Sequence, residues 1–163
     1  MKILSLFLVA LFFVICANAQ SVKCDISAYV IDKDPNGLNV RSGPGKEFDV
    51  LGQIMPDEDG VIVDVISSDG SWMYIENSSP LSGITNFEGD GWVFASMLAT
   101  ATRMKTKLYS QPNLKSKSIA TLAGEEEYKL VACSGKWAKI QVGKKQGWLS
   151  PDGQCGNPVT TCP

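Results

Sequence analysis

The chain of 163 residues contains no histidine. That absence removes Ser-His-Asp and Cys-His catalysis, every histidine-bearing metal site, and the side chain that ordinarily titrates between about pH 5 and 8. A long amphipathic helix is missing too. Nowhere does an apolar 3.6-residue period persist for three turns, and only MLATATRMKTK at 97–107 reads as able to form a brief helical turn. No phosphate loop is present either, since RSGPG at 41–45 is followed by KEFD, with neither the Lys-Ser/Thr pair nor a helix pattern behind it. The length allows one ordinary domain or two small ones and leaves no room for a large cofactor fold. What is present is globular: 44% apolar and 20% charged, too apolar and too weakly charged for a disordered chain. No cofactor is expected.

Residues 1–19 read as a secretion signal. Met1 and Lys2 make a positive start, residues 3–16 form an apolar run, and Ala17 and Ala19 supply the small residues that precede cleavage before Gln20. The run is shorter than the roughly 20 residues needed to cross a bilayer. Ile15 is too bulky to precede the cysteine of a lipoprotein signal. No second run of that length follows, so the mature chain is expected to be secreted or periplasmic, without a membrane span.

Cleavage removes Cys16 and leaves Cys24, Cys133, Cys155 and Cys162, an even number in a compartment that permits disulfides. Their gaps of 109, 22 and 7 positions do not resemble the short paired spacings of a zinc site, so no metal is expected. Three pairings are open. A Cys155 to Cys162 bridge would close a short loop worth roughly 2 to 2.5 kcal/mol; a bridge to Cys24 would tie the chain ends together.

The mature sequence repeats itself. LNVRSGPGKEFDVLGQI, GVIVDVI, GSWMYI and DGWVFASML occur in that order, and then LYSQPNLKSKSIATL, YKLVAC, GKWAKIQV and QGWLSPDG. The second copy is shorter, the extra residues of the first falling in the polar stretch ENSSPLSGITNFEGDG. β-Branched runs and closely spaced turn residues predict short strands throughout. Units of this size bury little surface alone, and closure into small barrels removes exposed edges. The expected class is all-β, with two small SH3-like barrels in tandem after a cleaved signal peptide. The boundaries read as 1–19 for the signal, 20–27 for an N-terminal segment, 28–100 and 101–153 for the barrels, and 154–163 for a disulfide-bonded tail.

LNVRSGPG, GSW and DGWV resemble the bacterial SH3 (SH3b) domain, and LYSQPN, GKWAKI and QGWL resemble a second, more diverged member. The second copy lacks the Arg-Ser-Gly-Pro-Gly run. The resemblance implies five- or six-stranded barrels that serve as binding modules for cell-wall peptide or other extended ligands, often beside a catalytic domain. The Cys-His hydrolase that commonly accompanies such modules is excluded by the lack of histidine.

Strand alternation sorts the candidate binding residues. In WMYI, Met73 and Ile75 face inward and Trp72 and Tyr74 outward; in WAKI, Ala138 and Ile140 face inward and Trp137 and Lys139 outward. The resemblance implies that a Trp on this strand flanks a ligand groove. The competing expectation is that a loop or the other barrel covers both rings. Trp92 and Trp148, each next to Gly at a strand start, are expected to pack against the protein itself. Arg41 stands in the RSGPG turn, where its planar fork could hold a ligand carboxylate or pair with a nearby acid. DKDPNG at 32–37 matches half a calcium loop, but position twelve is Gly43 where a bidentate Glu is required, so an Asx-rich turn is expected instead.

Charge differs between the copies. Residues 20–100 carry 4 basic and 13 acidic side chains, a net of −9, whereas residues 101–163 carry 10 and 4, a net of +6. The basic half could attract an anionic envelope polymer or the acidic half; export and the acidic first half argue against nucleic acid. Asp57, Glu58 and Asp59, like Glu125, Glu126 and Glu127, lie at matching links of the repeat and read as charged turns, not as one split active site. The expectation is a noncatalytic binding module for cell-wall peptide or an extended peptide of a partner, with Trp72, Tyr74, Trp137, Lys139 and Arg41 as contacts. The alternatives are a module docking on, or inhibiting, another envelope protein, and a carboxylate-based glycan hydrolase.

Overall fold

The computed structural model describes residues 21–83 and 87–156. Residues 1–19, expected to form a secretion signal, and Cys162 lie outside them. The described chain is all-β, with thirteen strands among the described residues: β1 (Val22–Val30), β2 (Leu38–Arg41), β3 (Val50–Ile54), β4 (Val61–Asp69), β5 (Trp72–Pro80), β6 (Gly91–Phe94), β7 (Leu98–Thr102), β8 (Thr106–Tyr109), β9 (Ser118–Leu122), β10 (Glu127–Ser134), β11 (Trp137–Val142), β12 (Lys145–Leu149) and β13 (Gln154–Cys155). Short 3-10 turns at Ala95–Met97 and Pro151–Gly153 precede β7 and β13.

All strand pairs between these elements are antiparallel, and they come in two matching sets. β1 pairs β4 and β7 while β7 pairs β10 and β13; β2 pairs β3 and β6 while β8 pairs β9 and β12; β4–β5–β6 has its counterpart in β10–β11–β12. We call β1–β7 the first lobe and β7–β13 the second. β7 belongs to both, last strand of one and first of the other.

That double role sets its sequence. All five residues of LATAT are buried, because neighbours cover both faces and pair both edges. Such a position takes small or β-branched side chains and requires every hydroxyl to be satisfied. Thr100 Oγ1 donates to the Cys155 carbonyl at 3.1 Å, and Thr102 Oγ1 donates to that of Ala123 at 2.7 Å. The brief helical turn expected across 97–107 is therefore two strands, β7 and β8. β1 in turn begins at Val22, within the segment expected to precede the first barrel, and β13 lies within the expected tail.

The core follows period-2 alternation. Val61, Val63 and Val65 of β4 and Met73 and Ile75 of β5 fill the first lobe; Leu108, Leu130, Ala138, Ile140 and Leu149 fill the second. Between the lobes, Cys24 of β1 bonds Cys133 of β10 with their Cα atoms 5.7 Å apart, closing a loop of 109 positions. The chain-entropy estimate for so long a loop is about 4.7 kcal/mol. Backbone hydrogen bonds flank the bridge: Asp25 N donates to Gly135 O at 2.9 Å, and Gly135 N to Lys23 O at 2.8 Å. Buried Ser68 of β4 donates to the Cys133 carbonyl at 3.2 Å and accepts from its N–H at 3.4 Å. Cys155 is also disulfide-bonded.

Candidate ligand-binding faces

The outward residues of each lobe line up across the strands. In the first lobe Cα partners run Val50, Arg41, Trp92, Tyr74, Ser67 across β3, β2, β6, β5 and β4. In the second they run Ser118, Tyr109, Trp148, Lys139, Ala132 across β9, β8, β12, β11 and β10. Each row centres on a tryptophan that follows a glycine.

The glycine explains the tryptophan's orientation. Gly91 and Gly147 are buried and point inward, and a Cβ on either would lie 2.6 Å from Val40 Cγ1 or 2.5 Å from Leu108 Cγ. Only a residue without a side chain lets β2 and β8 pack so close, and alternation then turns the next residue outward. Trp92 and Trp148 are consequently half-exposed on the same faces as Tyr74 and Lys139. The expectation that they pack into the protein is corrected here: Val93 and Leu149, one residue further on, take the inward places. The alternation in GWV and GWL carried that signal.

Rings meet edge to face on both lobes. Trp72 and Phe94 have centroids 5.4 Å apart, Tyr74 and Trp92 5.3 Å, and Tyr109 and Trp137 5.6 Å. Such pairs add about 0.5 to 1.5 kcal/mol beyond burial and fix the rings as rigid platforms. Trp72 and Trp137 are half-exposed, above buried Met73 and Ala138. Lys139 Nζ lies 6.0 Å from the Trp148 ring centroid, the outer limit of a cation–π contact.

The first face has an acidic border. The Tyr74 hydroxyl donates to Asp90 Oδ2. That hydrogen bond, followed by partial burial and the charges of Asp90 and Glu76, raises the phenol above its ordinary titration range and keeps it a neutral donor. Arg41, the sequence's candidate for a ligand carboxylate, is turned instead to its own loop: Nη1 donates to the carbonyls of Phe48 at 2.8 Å and Lys46 at 3.1 Å. Its other N–H groups make no hydrogen bond among the described residues.

The remaining motifs form turns. In DKDPNG, Asp34 N donates to Asp32 Oδ1 at 3.1 Å and Asn36 N to Asp34 Oδ1 at 2.9 Å, an Asx-rich turn. Among the described residues no group of acidic or cysteine side chains is placed to hold a metal ion. Asp57 caps its own turn, accepting from Asp59 N at 3.0 Å, and its hydrogen bond from Ser82 holds its carboxyl below the ordinary range. Both acidic turns nonetheless reach one cleft of about 640 Å³ between the lobes, where Asp57, Glu58 and Asp59 face Glu127, Lys129 and Tyr29. The Tyr29 hydroxyl donates to Glu127 Oε2 at 3.1 Å. Burial, then the charge and hydrogen bond of Glu127, raises the Tyr29 phenol well above its ordinary range.

No curated protein matches the chain. Among solved structures, NlpC1 from Trichomonas vaginalis is similar at 9% identity and a TM-score of 0.33, over 88% of this chain and 50% of its own. NlpC2 from the same organism is similar at 9% identity and a TM-score of 0.33, over 85% of this chain and 49% of its own. The chain thus spans about half the length of the solved structures it resembles. The family model described as "Bacterial SH3 domain" matches residues 36–99, which run from just before β2 into β7. Over residues 36–99 this chain is similar to the bacterial SH3 domain.

Proposed function

We propose that this protein is a noncatalytic, exported binding module in which the second lobe is a further, diverged SH3b-type barrel. Its ligand is cell-wall peptide or an extended peptide of a partner, held on the outer faces of the two lobes. One observation carries this reading: each lobe holds a rigid set of half-exposed rings in matching cross-strand rows, Tyr74 and Trp92 in one, Tyr109 and Trp148 in the other. Flat rings at fixed spacing suit an extended chain, because rings already held in place lose little further entropy on binding. Export is supported by the Cys24–Cys133 disulfide and by the signal-like residues 1–19. Among the described residues no helix is long and apolar enough to cross a membrane.

Retention on purified peptidoglycan tests the proposal. The wild type should be retained, and a Trp72→Ala, Trp137→Ala double variant should lose at least about tenfold in affinity, two aromatic anchors being removed. Equal retention of the two proteins overturns it. Docking on another envelope protein is the second reading, favoured by the exposed apolar side chains Phe48, Val50 and Leu51 at edge strand β3. Co-purification of a stoichiometric protein partner, with no retention on the wall, selects it.

A further inference from the structure

The two faces adjoin. Trp72 stacks edge to face on Phe94, and Phe94 lines a cleft of about 220 Å³ at the lobe junction together with Ser96, Lys129, Gln141 and Gln146. Gln146 also lines a depression of about 460 Å³ on the second lobe, between Lys117 and Lys145. A path therefore runs from the rings of the first face through the junction cleft to a basic depression. Its ends differ in charge. Asp90 and Glu76 stand beside Tyr74 at the first end, whereas Lys117 and Lys145 stand at the second, with Lys139 over Trp148 nearby.

We infer that the two faces form a single oriented site for one extended peptide, whose ammonium-bearing end lies over the Asp90 and Glu76 border and whose carboxylate-bearing end lies between Lys117 and Lys145. This rests on the reading of the faces as peptide-binding and adds their continuity and their polarity. Rings beside carboxylates favour an alkylammonium group, by cation–π attraction and by charge. Paired lysines favour a carboxylate. Gln146 lines both depressions, so one peptide can reach from one end to the other, and its second contact is then intramolecular, which raises the effective concentration of that end.

The probes are blocked peptides, titrated by calorimetry into the full mature protein: Lys-Lys-Gly-Ser, Gly-Ser-Glu-Glu, and the two joined through Gly-Ser spacers of increasing length. The joined peptide of best spacing is expected to bind with a stoichiometry of one and at least about tenfold more tightly than either half. Asp90→Asn with Glu76→Gln should abolish binding of the lysine half, and Lys117→Ala with Lys145→Ala that of the glutamate half. Gln146→Trp, at an exposed position in the path, should remove the gain on joining. Two joined peptides per protein with no gain at any spacing overturns continuity and leaves the faces as separate sites. No binding of any probe, with retention on peptidoglycan intact, overturns the charge assignment alone. Loss of both removes the peptide-binding reading as well.

Discussion

Arg41 and Tyr109 hold the same place in their lobes, each the cross-strand partner of the tryptophan that follows an inward glycine, Trp92 for one and Trp148 for the other. The equivalence extends outward to Val50 and Ser118 and inward to Tyr74 and Lys139. A common backbone thus carries different chemistry. The first lobe commits its cation to bracing the loop at 42–49, and the second leaves its cation, Lys139, over a ring.

The inward glycines should resist even a methyl group. Gly91→Ala places a Cβ 2.6 Å from Val40 Cγ1 and 2.9 Å from the Arg41 carbonyl, and Gly147→Ala places one 2.5 Å from Leu108 Cγ. Overpacking of this kind costs about 1 to 3 kcal/mol. Urea unfolding of each variant should show a lower midpoint with an unchanged slope; an unchanged midpoint would mean that β2 and β8 yield more easily than the packing implies.

Loss of the bridge between the lobes should be felt globally. Cys24→Ala with Cys133→Ala removes a cross-link spanning 109 positions and should lower stability by about 3 to 5 kcal/mol. Guanidinium unfolding of the oxidised wild type and the double variant checks this.

Alkaline pH should destabilise the protein through Tyr29. Its phenol titrates higher in the folded chain than its ordinary value of 10.0, chiefly through burial and then through Glu127. The folded state therefore holds that proton more tightly than the unfolded one. The contribution is fully present below pH 10 and is lost as pH rises above it towards the folded value. Tyr29→Phe should flatten the fall in melting temperature above pH 10 and leave its shape below pH 9 unchanged. An identical alkaline slope in both proteins would exclude Tyr29 as the source.

Glu125 adopts φ 61°, in the left-handed region, at the link before β10. A side chain there costs about 1 kcal/mol that glycine does not incur. Glu125→Gly should therefore stabilise by about 0.5 to 1 kcal/mol, measured by thermal unfolding, even though it removes a charged surface group.

Alternation makes much of the fold legible in the sequence alone. WMYI and WAKI contain their own inward and outward assignment, and the repeat of GVIVDVI and YKLVAC marks corresponding strands. Local pattern could not expose relations made only in three dimensions. LATAT shows no alternation because both its faces are covered, so nothing in its residues distinguishes a shared strand from a linker. The partner of Cys24 depends on the hairpin turn at Gly135 reaching β1, which no spacing rule encodes. Trp92 and Trp148 are expected to pack against the protein because each stands next to Gly at a strand start, but that glycine holds the inward place and turns the ring outward. The acceptors of Arg41 are backbone carbonyls of its own loop, which a side-chain inventory does not count.

A single stave common to two casks ties their fates. Cutting the chain on either side of Leu98–Thr102 would leave one half closed and strip the other of an edge, so the halves cannot be traded or produced apart without supplying a substitute strand. With that strand held in common, each half can vary in surface chemistry while neither is complete without the other.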